Sequence, residues 1–335
     1  MKKKQICKKI LSLFLGVTLM AGLTACGSPG DSAGKTAVRI AYFPNITHSQ
    51  ALVMKAQGTL EKQWADTCDV TWTSFNAGPA EMEAIFAGEI DLGYIGPVPA
   101  LSANSKSNGD VTIISNSTNA GAVLLVRKDS GIKTIADLSG KKIAVPQLGN
   151  TQHLCLLHIL SENGLKTTDQ GGDVTVNASA NADILNLMDN GSVDAALVPE
   201  PWGTTIEQSG NAEVLLDSNE IMLEGNYPTA IVMVSEDFMK AHPELVEEFL
   251  NAHEDATLYI NEHPDEAIQT VNAEIENATG KALNEDVIRS AFSRMNIATE
   301  LNRDAIMLFG EISKDEGFIT EVPEEEHVFT TEFNQ

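Results

Sequence analysis

The sequence predicts an α/β fold of two lobes, with two mainly parallel sheets that are flanked by helices and joined by two crossing strands. Short apolar strands alternate with helical segments along the body, which is typical of parallel sheets. The same order of strand, polar turn and helix also occurs twice, because residues 40–48, 76–78 and 88–99 resemble residues 143–153, 177–179 and 191–201. Gly, Asn and Pro recur in most turns, so coincidence is the alternative explanation of these matches. Two such halves facing each other would enclose a cleft suited to a small ligand.

Spacing and turn residues define the elements of the first half. Residues 38–42 form an apolar strand that Pro44 ends, and apolar residues at helical spacing predict a helix over residues 49–62. Residues 70–75 alternate as a strand does, and Pro79 suits the first turn of the next helix. The further elements predicted here are strands over residues 91–95, 111–115 and 122–127, and a helix from Ala100.

The second half repeats this order. Its predicted strands are residues 142–145, 173–176, 193–198, 213–216 and 229–234, and its predicted helices are residues 134–138, 151–163 and 181–189. Ser235 can cap a helix, because its hydroxyl accepts from first-turn N–H groups and the acidic Glu236 and Asp237 follow it. Further helices are predicted from Pro243 and from near Pro264, Asn284 and Asn302. Residues 122–127 and 229–234 are the candidate crossings between the lobes.

The first residues are typical of a bacterial lipoprotein signal. Five lysines precede an uncharged, mostly apolar run over residues 10–23, which is shorter than the ~20 residues that span a membrane. Leu23-Thr24-Ala25-Cys26 resembles a lipobox, so we expect residues 1–25 to be a signal peptide and Cys26 to carry lipid such as palmitate. An ordinary secretory signal is the alternative. Residues 26–37, rich in Gly and Ser, predict a flexible tether that holds the body on the extracytoplasmic face of the membrane.

Composition restricts the partners. The formal net charge is −25, which excludes a nucleic-acid partner because neutralising phosphates needs a basic face. No later segment approaches the length of a membrane span. Cys68 and Cys155 are the cysteines that follow the lipobox, and we expect both to be free, buried thiols in opposite halves.

The loops after the strands are the predicted binding region, since ligands of open α/β sheets lie beyond the carboxyl ends of the strands. Two of these loops run directly into helices at residues 47–49 and 149–151. A helix start offers unpaired N–H groups and a partial positive charge, so it suits an anion. Gly149 permits close backbone approach, and Asn150 and Thr151 supply side-chain donors. Plain helix capping needs the same residue types, so capping is the alternative to ligand binding for each of these residues.

The predicted ligand-binding residues lie in or beside these loops. His48 and His153 occupy matched positions and either donate to a ligand or close a turn. Trp202 either packs over the ligand or covers the sheet, and Glu200 either binds a ligand amine or caps a turn. The full set is Pro44, Asn45, His48, Asn76, Gly96, Pro97, Asn116, Gln147, Gly149, Asn150, Thr151, Glu200, Trp202 and Tyr227.

The sequence favours binding over catalysis. It has no Gly-x-Ser-x-Gly elbow, no phosphate loop and no Gly-x-Gly-x-x-Gly fingerprint, so neither an enzyme nor a bound cofactor is predicted. His153, Cys155 and His158 are close in sequence, but their spacing does not place all three on one helical face. We therefore predict no metal site.

Several motifs resemble those of bacterial ABC-transporter solute-binding lipoproteins of the aliphatic sulfonate, nitrate and taurine group, which is related to thiamine-pyrimidine precursor binders. The stretch Gln-Leu-Gly-Asn-Thr-Gln at residues 147–152, with Val-Pro-Glu-Pro-Trp at residues 198–202, is the most specific. Tyr-Phe-Pro-Asn at residues 42–45 and the segments 88–91, 96–99 and 137–144 add to it. The resemblance extends from residue 38 to about residue 307.

This resemblance implies a type II periplasmic-binding-protein-like fold. The first lobe would be residues 38–128 plus 229–335, and the second lobe residues 129–228. It further implies a monomer that captures a small oxyanion, such as an aliphatic sulfonate, taurine or nitrate, by hinge closure. The ligand would pass to a membrane permease driven by an ATPase.

Ligand identity stays open between two classes. The chain has five Arg and none lies in the predicted loops, so an oxyanion would depend on helix starts, amides and hydroxyls. A thiamine-pyrimidine precursor or another heteroaromatic nutrient is the alternative, since Phe43, Tyr94, Trp202 and Tyr227 can stack on a ring. An enzyme of the pyrimidine-synthase type on the same scaffold is disfavoured, because that group carries a dense cysteine cluster.

Overall fold

The structure, a computed structural model, describes residues 34–330 and 332–333. The predicted signal peptide, the lipid site at Cys26 and most of the predicted tether lie outside the described residues. None of the described helices combines the length and the apolar composition needed to cross a membrane.

The strands of the described chain form two sheets. The first sheet has the order β11-β4-β10-β3-β1-β2 and the second has the order β7-β6-β8-β5-β9. The strands are β1 Thr36–Tyr42, β2 Cys68–Ser74, β3 Leu92–Ile95, β4 Val111–Ala120, β5 Ala122–Arg127, β6 Lys142–Val145, β7 Thr175–Ala178, β8 Ala195–Pro199, β9 Ala212–Leu216, β10 Pro228–Ser235 and β11 Met295–Ile297. We call each sheet with its helices a lobe.

Helices flank both sheets. They are α1 Ser49–Gln57, α2 Thr59–Gln63, α3 Gly78–Phe86, α4 Pro97–Ser107, α5 Thr151–Glu162, α6 Asn181–Asp189, α7 Trp202–Gln208, α8 Ser218–Ile221, α9 Glu236–Ala241, α10 Pro243–Glu262, α11 Pro264–Thr279, α12 Glu285–Phe292, α13 Arg303–Asp315 and α14 Glu325–Val328. Short 3₁₀ turns occur at Ile46–His48, Ile135–Leu138, Thr168–Gln170 and Leu223–Gly225.

The prediction of two lobes is confirmed, but the sheets are mixed rather than mainly parallel. In the first sheet β1 pairs in parallel with β2 and β3, whereas β10 runs antiparallel to β3 and β4. In the second sheet β6 pairs in parallel with β7 and β8, whereas β5 runs antiparallel to β8 and β9. The antiparallel members are the strands by which the chain enters or leaves a lobe, so the crossings account for the difference.

The first crossing lies at Gly121, between β4 in one sheet and β5 in the other. The predicted boundary at residue 128 is therefore too late, because residues 122–127 already pair with the second sheet. The return crossing spans residues 217–227 and ends where β10 begins, next to the predicted boundary at residue 229.

The two crossings are bonded to each other. The Ala120 N–H donates to the Tyr227 carbonyl at 2.9 Å, and the Thr229 hydroxyl donates to the Ala120 carbonyl. Ala120 (φ 58°) and Gly121 (φ 77°) both have left-handed backbone, which turns the chain sharply at this point. The two crossings therefore form a bonded pair of links between the sheets.

Two predicted elements differ from the structure by more than three residues. The predicted helix over residues 49–62 is divided at Gly58, whose φ of 59° ends α1 in a left-handed cap. Strand β4 continues to Ala120 rather than ending at Ser115, because its polar residues 116–118 are buried and bonded inside the first lobe. The predicted cap Ser235 accepts from a first-turn N–H group, as expected, and Asn284 and Asn302 do the same at the starts of α12 and α13.

Both predicted free thiols are confirmed. Cys68 on β2 and Cys155 on α5 are buried and unpaired, one in each lobe. Burial raises the pKa of the Cys155 thiol to about 12, so this sulfur is a protonated core group.

Candidate functional site

A cavity lies between the lobes at the carboxyl ends of the strands. It spans about 340 Å³, including the part open to solvent, and the Asn76 side chain bonds to the second lobe across it, so the lobes are closed upon each other. Its lining residues are Phe43, Asn45, Thr47, His48, Asn76, Ala77, Gly78, Gly96, Pro99, Pro146, Asn150, Thr151, Gln152, Asn181, Pro199 and Thr229.

Every loop that the sequence singled out contributes to this lining. The loops after β1, β2 and β3 supply the wall from the first lobe, and those after β6, β7 and β8 supply the wall from the second. Gly78, Thr151 and Asn181 are the first residues of α3, α5 and α6, so three helix starts meet at the cavity. The partial positive charge of these helix starts favours an anion there.

His48 provides a neutral donor on the first-lobe wall. Its Nδ1 accepts from the Phe43 N–H at 3.1 Å, so the ring proton is on Nε2, which can donate to a ligand. Complete burial lowers the pKa of His48 to about 3, so the ring is uncharged near neutral pH. The imidazole also stacks on Phe43, with 4.5 Å between the ring centroids.

His153 makes the matching hydrogen bond in the second lobe, but it does not line the cavity. Its Nδ1 accepts from the Gly149 N–H at 3.0 Å, in parallel with the His48 bond. The ring stacks on Phe318 and lines a separate apolar groove. His153 thus closes a turn, whereas its counterpart His48 lines the cavity.

Buried hydroxyls position Thr47 and His48. The side chains of Ser117 and Thr118 on β4 donate to the Thr47 carbonyl at 3.3 and 2.8 Å. The single Ser117 proton is shared with Gln50 Oε1, the nearer acceptor at 2.8 Å, which ties the first turn of α1 to the sheet. These bonds fix the start of the helix that carries the first-lobe wall.

The start of α5 forms the second-lobe wall. Asn150 caps the helix, since its Oδ1 accepts from the His153 N–H at 2.8 Å. The Thr151 hydroxyl is buried and has no hydrogen-bond partner among the described residues. A Cβ on Gly96 would lie 2.3 Å from Thr151 Oγ1, so the absence of a side chain at Gly96 lets the two lobes meet here.

Asn76 connects the lobes across the cavity. Its Nδ2 donates to the Pro146 carbonyl at 3.3 Å, and its Oδ1 accepts from the Asn181 N–H at 3.2 Å. The Asn181 side-chain oxygen is buried and lacks a partner within the described part of the chain. Unpaired buried polar atoms are costly in a protein interior, so the Thr151 hydroxyl points to a ligand oxygen that accepts its proton. The Asn181 oxygen is an acceptor and would need a ligand group that donates.

No lining residue among those described is Asp, Glu, Lys or Arg. The cavity therefore presents neutral donors, namely the His48 imidazole, the Thr151 hydroxyl, side-chain amides and helix-start N–H groups. Such groups can hold a monoanion in a site shielded from water.

Comparison with known proteins assigns the chain to a family. A model of the NMT1-like family matches residues 31–275, which is well over half of the sequence. The chain belongs to the NMT1-like family.

Relatives of this NMT1-like protein are named as binding proteins. An Escherichia coli (strain K12) protein named for the binding of aliphatic sulfonates is 32% identical over 226 residues, which cover 67% of this chain and 66% of that relative. The chain thus spans slightly less than two thirds of that protein's length. The taurine-binding periplasmic protein of the same organism is 29% identical over 249 residues, covering 74% of this chain and 73% of the relative.

A solved structure shares the fold of this NMT1-like chain. The alkanesulfonate-binding protein SsuA from Xanthomonas axonopodis pv. citri superposes with a TM-score of 0.72 at 23% identity, over 88% of this chain and 96% of that one. The two-lobed periplasmic-binding-protein-like architecture predicted from the sequence is confirmed.

The structure of the NMT1-like chain distributes the predicted binding residues over two groups. Those that line the cavity are Asn45, His48, Asn76, Gly96, Asn150 and Thr151. Those that lie outside the lining are Pro44, Pro97, Asn116, Gln147, Gly149, Glu200, Trp202 and Tyr227.

The residues outside the lining have other partners. Glu200 is fully buried and accepts from the Thr204 N–H and hydroxyl, both at 2.9 Å, and it pairs with Arg294 at 3.1 Å. The Tyr227 hydroxyl donates to the Ser218 carbonyl, and Asn116 Nδ2 donates to the Ala298 carbonyl. Arg294 also pairs with Glu207 and Asp217, so Arg294 joins the lobes beside the crossing rather than at the cavity.

Thr47, Gln152, Asn181 and Thr229 are the polar lining residues that the predicted set lacks. Asn181 was missed because the repeat aligned Asn177 with Asn76, whereas Asn177 lies on β7. The signal was available, since Asn181 begins a predicted helix directly after a predicted strand. Gln152 follows Thr151 in the helix start and accepts from Asn150 Nδ2 at 3.0 Å.

Proposed function

We propose that this protein is the extracytoplasmic solute-binding component of an ABC importer. It captures a small oxyanion, such as an aliphatic sulfonate, taurine or nitrate, in the cavity between its lobes and delivers it to a membrane permease and its ATPase. Membership of the NMT1-like family and relatives named for sulfonate and taurine binding support this proposal.

The buried, unpartnered Thr151 hydroxyl is the observation that carries the choice of an oxyanion. It stands at a helix start, 2% of the residue is exposed, and it lines a cavity that has no charged side chain among the described residues. A hydroxyl that donates to a ligand oxygen recovers the hydrogen bond that the closed protein does not supply. Helix-start N–H groups and the neutral His48 complete a set of donors.

Closure of the lobes is the proposed mechanism of capture. The first lobe contributes Thr47, His48 and Gly78, and the second contributes Thr151 and Asn181. A ligand that bonds to both walls favours the closed form over the open one, because only the closed form offers all the contacts. The paired crossings at Ala120 and Tyr227 supply the hinge.

Binding without turnover belongs to the same proposal. The only titratable side chain in the described lining is His48, and burial keeps it neutral. That lining has no carboxylate, Lys or Cys for acid–base or covalent chemistry.

A heteroaromatic ligand is less well supported by the geometry. Of the aromatic residues predicted to stack on a ring, Phe43 alone lines the cavity of the described chain. Tyr94 and Tyr227 are fully buried in the first lobe and near the crossing, and Trp202 donates to Asn45.

A thermal-shift screen of the purified protein tests the function. Propane-1-sulfonate, taurine and nitrate are compared with the pyrimidine moiety of thiamine and with riboflavin. A ligand at one hundred times its Kd stabilises the folded state by about 2.7 kcal/mol. We expect stabilisation by an oxyanion only, and stabilisation only by the pyrimidine or the flavin would overturn the oxyanion assignment.

Anchoring to the membrane through lipid on Cys26 is also proposed, on the lipobox alone. Cell fractionation of the wild type and of Cys26→Ala tests it. We expect the variant to leave the membrane fraction, and unchanged partition would overturn the anchor while leaving ligand capture intact.

A further inference from the structure

We propose that the cavity selects its ligand by the charge at both ends of the molecule. One end is the oxyanion, and the other end, which we call the tail, must be uncharged. The cavity accepts a sulfonate with an uncharged tail and rejects the same molecule carrying an ammonium group, as taurine does. This inference rests on the proposed function and narrows it.

The described cavity lining offers no counter-charge to a ligand ammonium group. The described lining contains no carboxylate, and the nearby Glu200 is committed to Thr204 and Arg294. An ammonium ion taken out of water without a paired carboxylate costs several kcal/mol. Each 1.4 kcal/mol of that cost lowers affinity about tenfold.

The second argument is the direction of the helix dipoles. Three helices of 9, 12 and 9 residues, α3, α5 and α6, begin at the cavity with Gly78, Thr151 and Asn181. Their partial positive ends attract a sulfonate, and the same ends repel an ammonium group in so small a space. Selection against a cationic tail therefore follows from the feature that binds the anion.

The third argument concerns acceptors. An ammonium group has three N–H donors, whereas the Asn181 oxygen is the one unpartnered buried side-chain acceptor in the described lining besides the Thr151 hydroxyl. Asn76 already uses both ends of its amide across the lobes, and Asn45 accepts from Trp202. A tail ammonium would thus leave N–H groups unpaired.

Glu81 is the one buried carboxyl that needs separate treatment. It lies three residues after Gly78 on α3, is completely buried, and neither oxygen has a partner among the described residues. Burial raises its pKa well above the usual value, so the group is held as an uncharged acid. It does not belong to the cavity lining, and an uncharged acid does not replace a carboxylate.

Three sulfonates of equal size test the proposal by isothermal titration of the purified protein. Propane-1-sulfonate, 2-hydroxyethanesulfonate and taurine differ only in the terminal methyl, hydroxyl or ammonium group. We expect the first two to bind with similar Kd and taurine to bind at least about tenfold more weakly. Equal or tighter taurine binding would overturn the selectivity but leave the proposed function standing, whereas no binding of any oxyanion would overturn both.

An engineered counter-charge provides the second test. Asn181→Asp keeps the size of the side chain and places a carboxylate at a helix start, where it is tolerated. We expect it to tighten taurine relative to propane-1-sulfonate, while the control Asn177→Asp on β7 leaves the ratio unchanged. An equal loss for all ligands in Asn181→Asp would contradict the proposal.

The variant Glu81→Gln completes the set. We expect the ratio of the taurine and propane-1-sulfonate Kd values to stay within about twofold of the wild-type ratio. Selective loss of taurine binding in this variant would show that Glu81 serves as the counter-charge and would overturn the proposal.

Discussion

Trp202 Nε1 donates a hydrogen bond to Asn45 Oδ1 at 2.7 Å, from the first residue of α7 in the second lobe to the loop after β1 in the first. Asn45 lines the cavity, whereas Trp202 stands behind it. The bond closes one side of the cleft without contributing to the lining. It links ligand capture to contacts between the lobes.

Replacing Trp202 with Phe should weaken ligand binding while the fold is retained. The change removes the Nε1–H donor and keeps an aromatic ring, so the closed form loses about 1 kcal/mol and the Kd of propane-1-sulfonate rises about fivefold. Trp72→Phe is the matched control, because Trp72 Nε1 donates to Glu61 within the first lobe. Equal Kd values for the wild type and Trp202→Phe would show that this bond does not favour closure.

Replacing Gly96 with Ala should block closure. The new Cβ would lie 2.3 Å from Thr151 Oγ1, and the backbone at Gly96 (φ −74°, ψ 150°) accepts any residue, so the effect is steric between the lobes. We expect the Kd to rise at least about tenfold. Gly310→Ala is the control, since its Cβ would meet Val322 within the first lobe, 3.0 Å away. Retained affinity in Gly96→Ala would place the ligand away from this contact.

Acidification should destabilise the first lobe through His253. Its Nε2 lies 2.8 Å from the Asn116 carbonyl, which can only accept, so Nε2 carries the proton and Nδ1 accepts from the Tyr94 hydroxyl at 2.7 Å. Burial lowers the pKa of His253 to about 4, whereas an unfolded His titrates near 6.5. Between these values the unfolded chain binds a proton that the folded chain refuses, so the free energy of unfolding falls as the pH falls.

Urea unfolding at pH 7 and pH 4.5 measures this effect in the wild type and in His253→Gln. The wild type should lose about 2 kcal/mol more than the variant between the two pH values. His48, His153 and Glu81 titrate in both proteins, so their contributions cancel in the difference. Parallel losses in the two proteins would refute a neutral, doubly bonded His253.

Much of the fold could be predicted because strands and helices leave patterns among residues that are neighbours in sequence. Strand β5, strand β6 and helix α6 have the predicted bounds, since each is an apolar or periodic segment between clear turn residues. Strand β4 was cut short because Asn116, Ser117 and Thr118 have the composition of a turn. Their partners Thr47, Gln50, His253 and Ala298 are remote in sequence, and nothing nearby marks these residues as buried.

The candidate site was predicted to the level of loops but not of every side chain. Helix-start reasoning located Thr151 and Asn150 because the start of a helix is visible in sequence. The sequence could not show whether Glu200 binds a ligand or pairs within the protein. Its partner Arg294 lies 94 residues further along the chain. The crossing at Gly121 was placed late because an apolar strand does not reveal which sheet it joins.

The variant Thr151→Val tests the central claim most directly. Valine keeps the shape of threonine and removes a buried hydroxyl that has no partner in the described chain, so the free energy of unfolding should be unchanged or higher. Thr204→Val is the matched control, because that hydroxyl donates to Glu200 at 2.9 Å and its loss should lower stability while affinity is kept.

Isothermal titration with propane-1-sulfonate gives the decisive measurement. We expect one site per wild-type chain, with a Kd at least about tenfold weaker in Thr151→Val and unchanged within about twofold in Thr204→Val. Equal affinity of the wild type and Thr151→Val would contradict an oxyanion held by neutral donors between the two lobes.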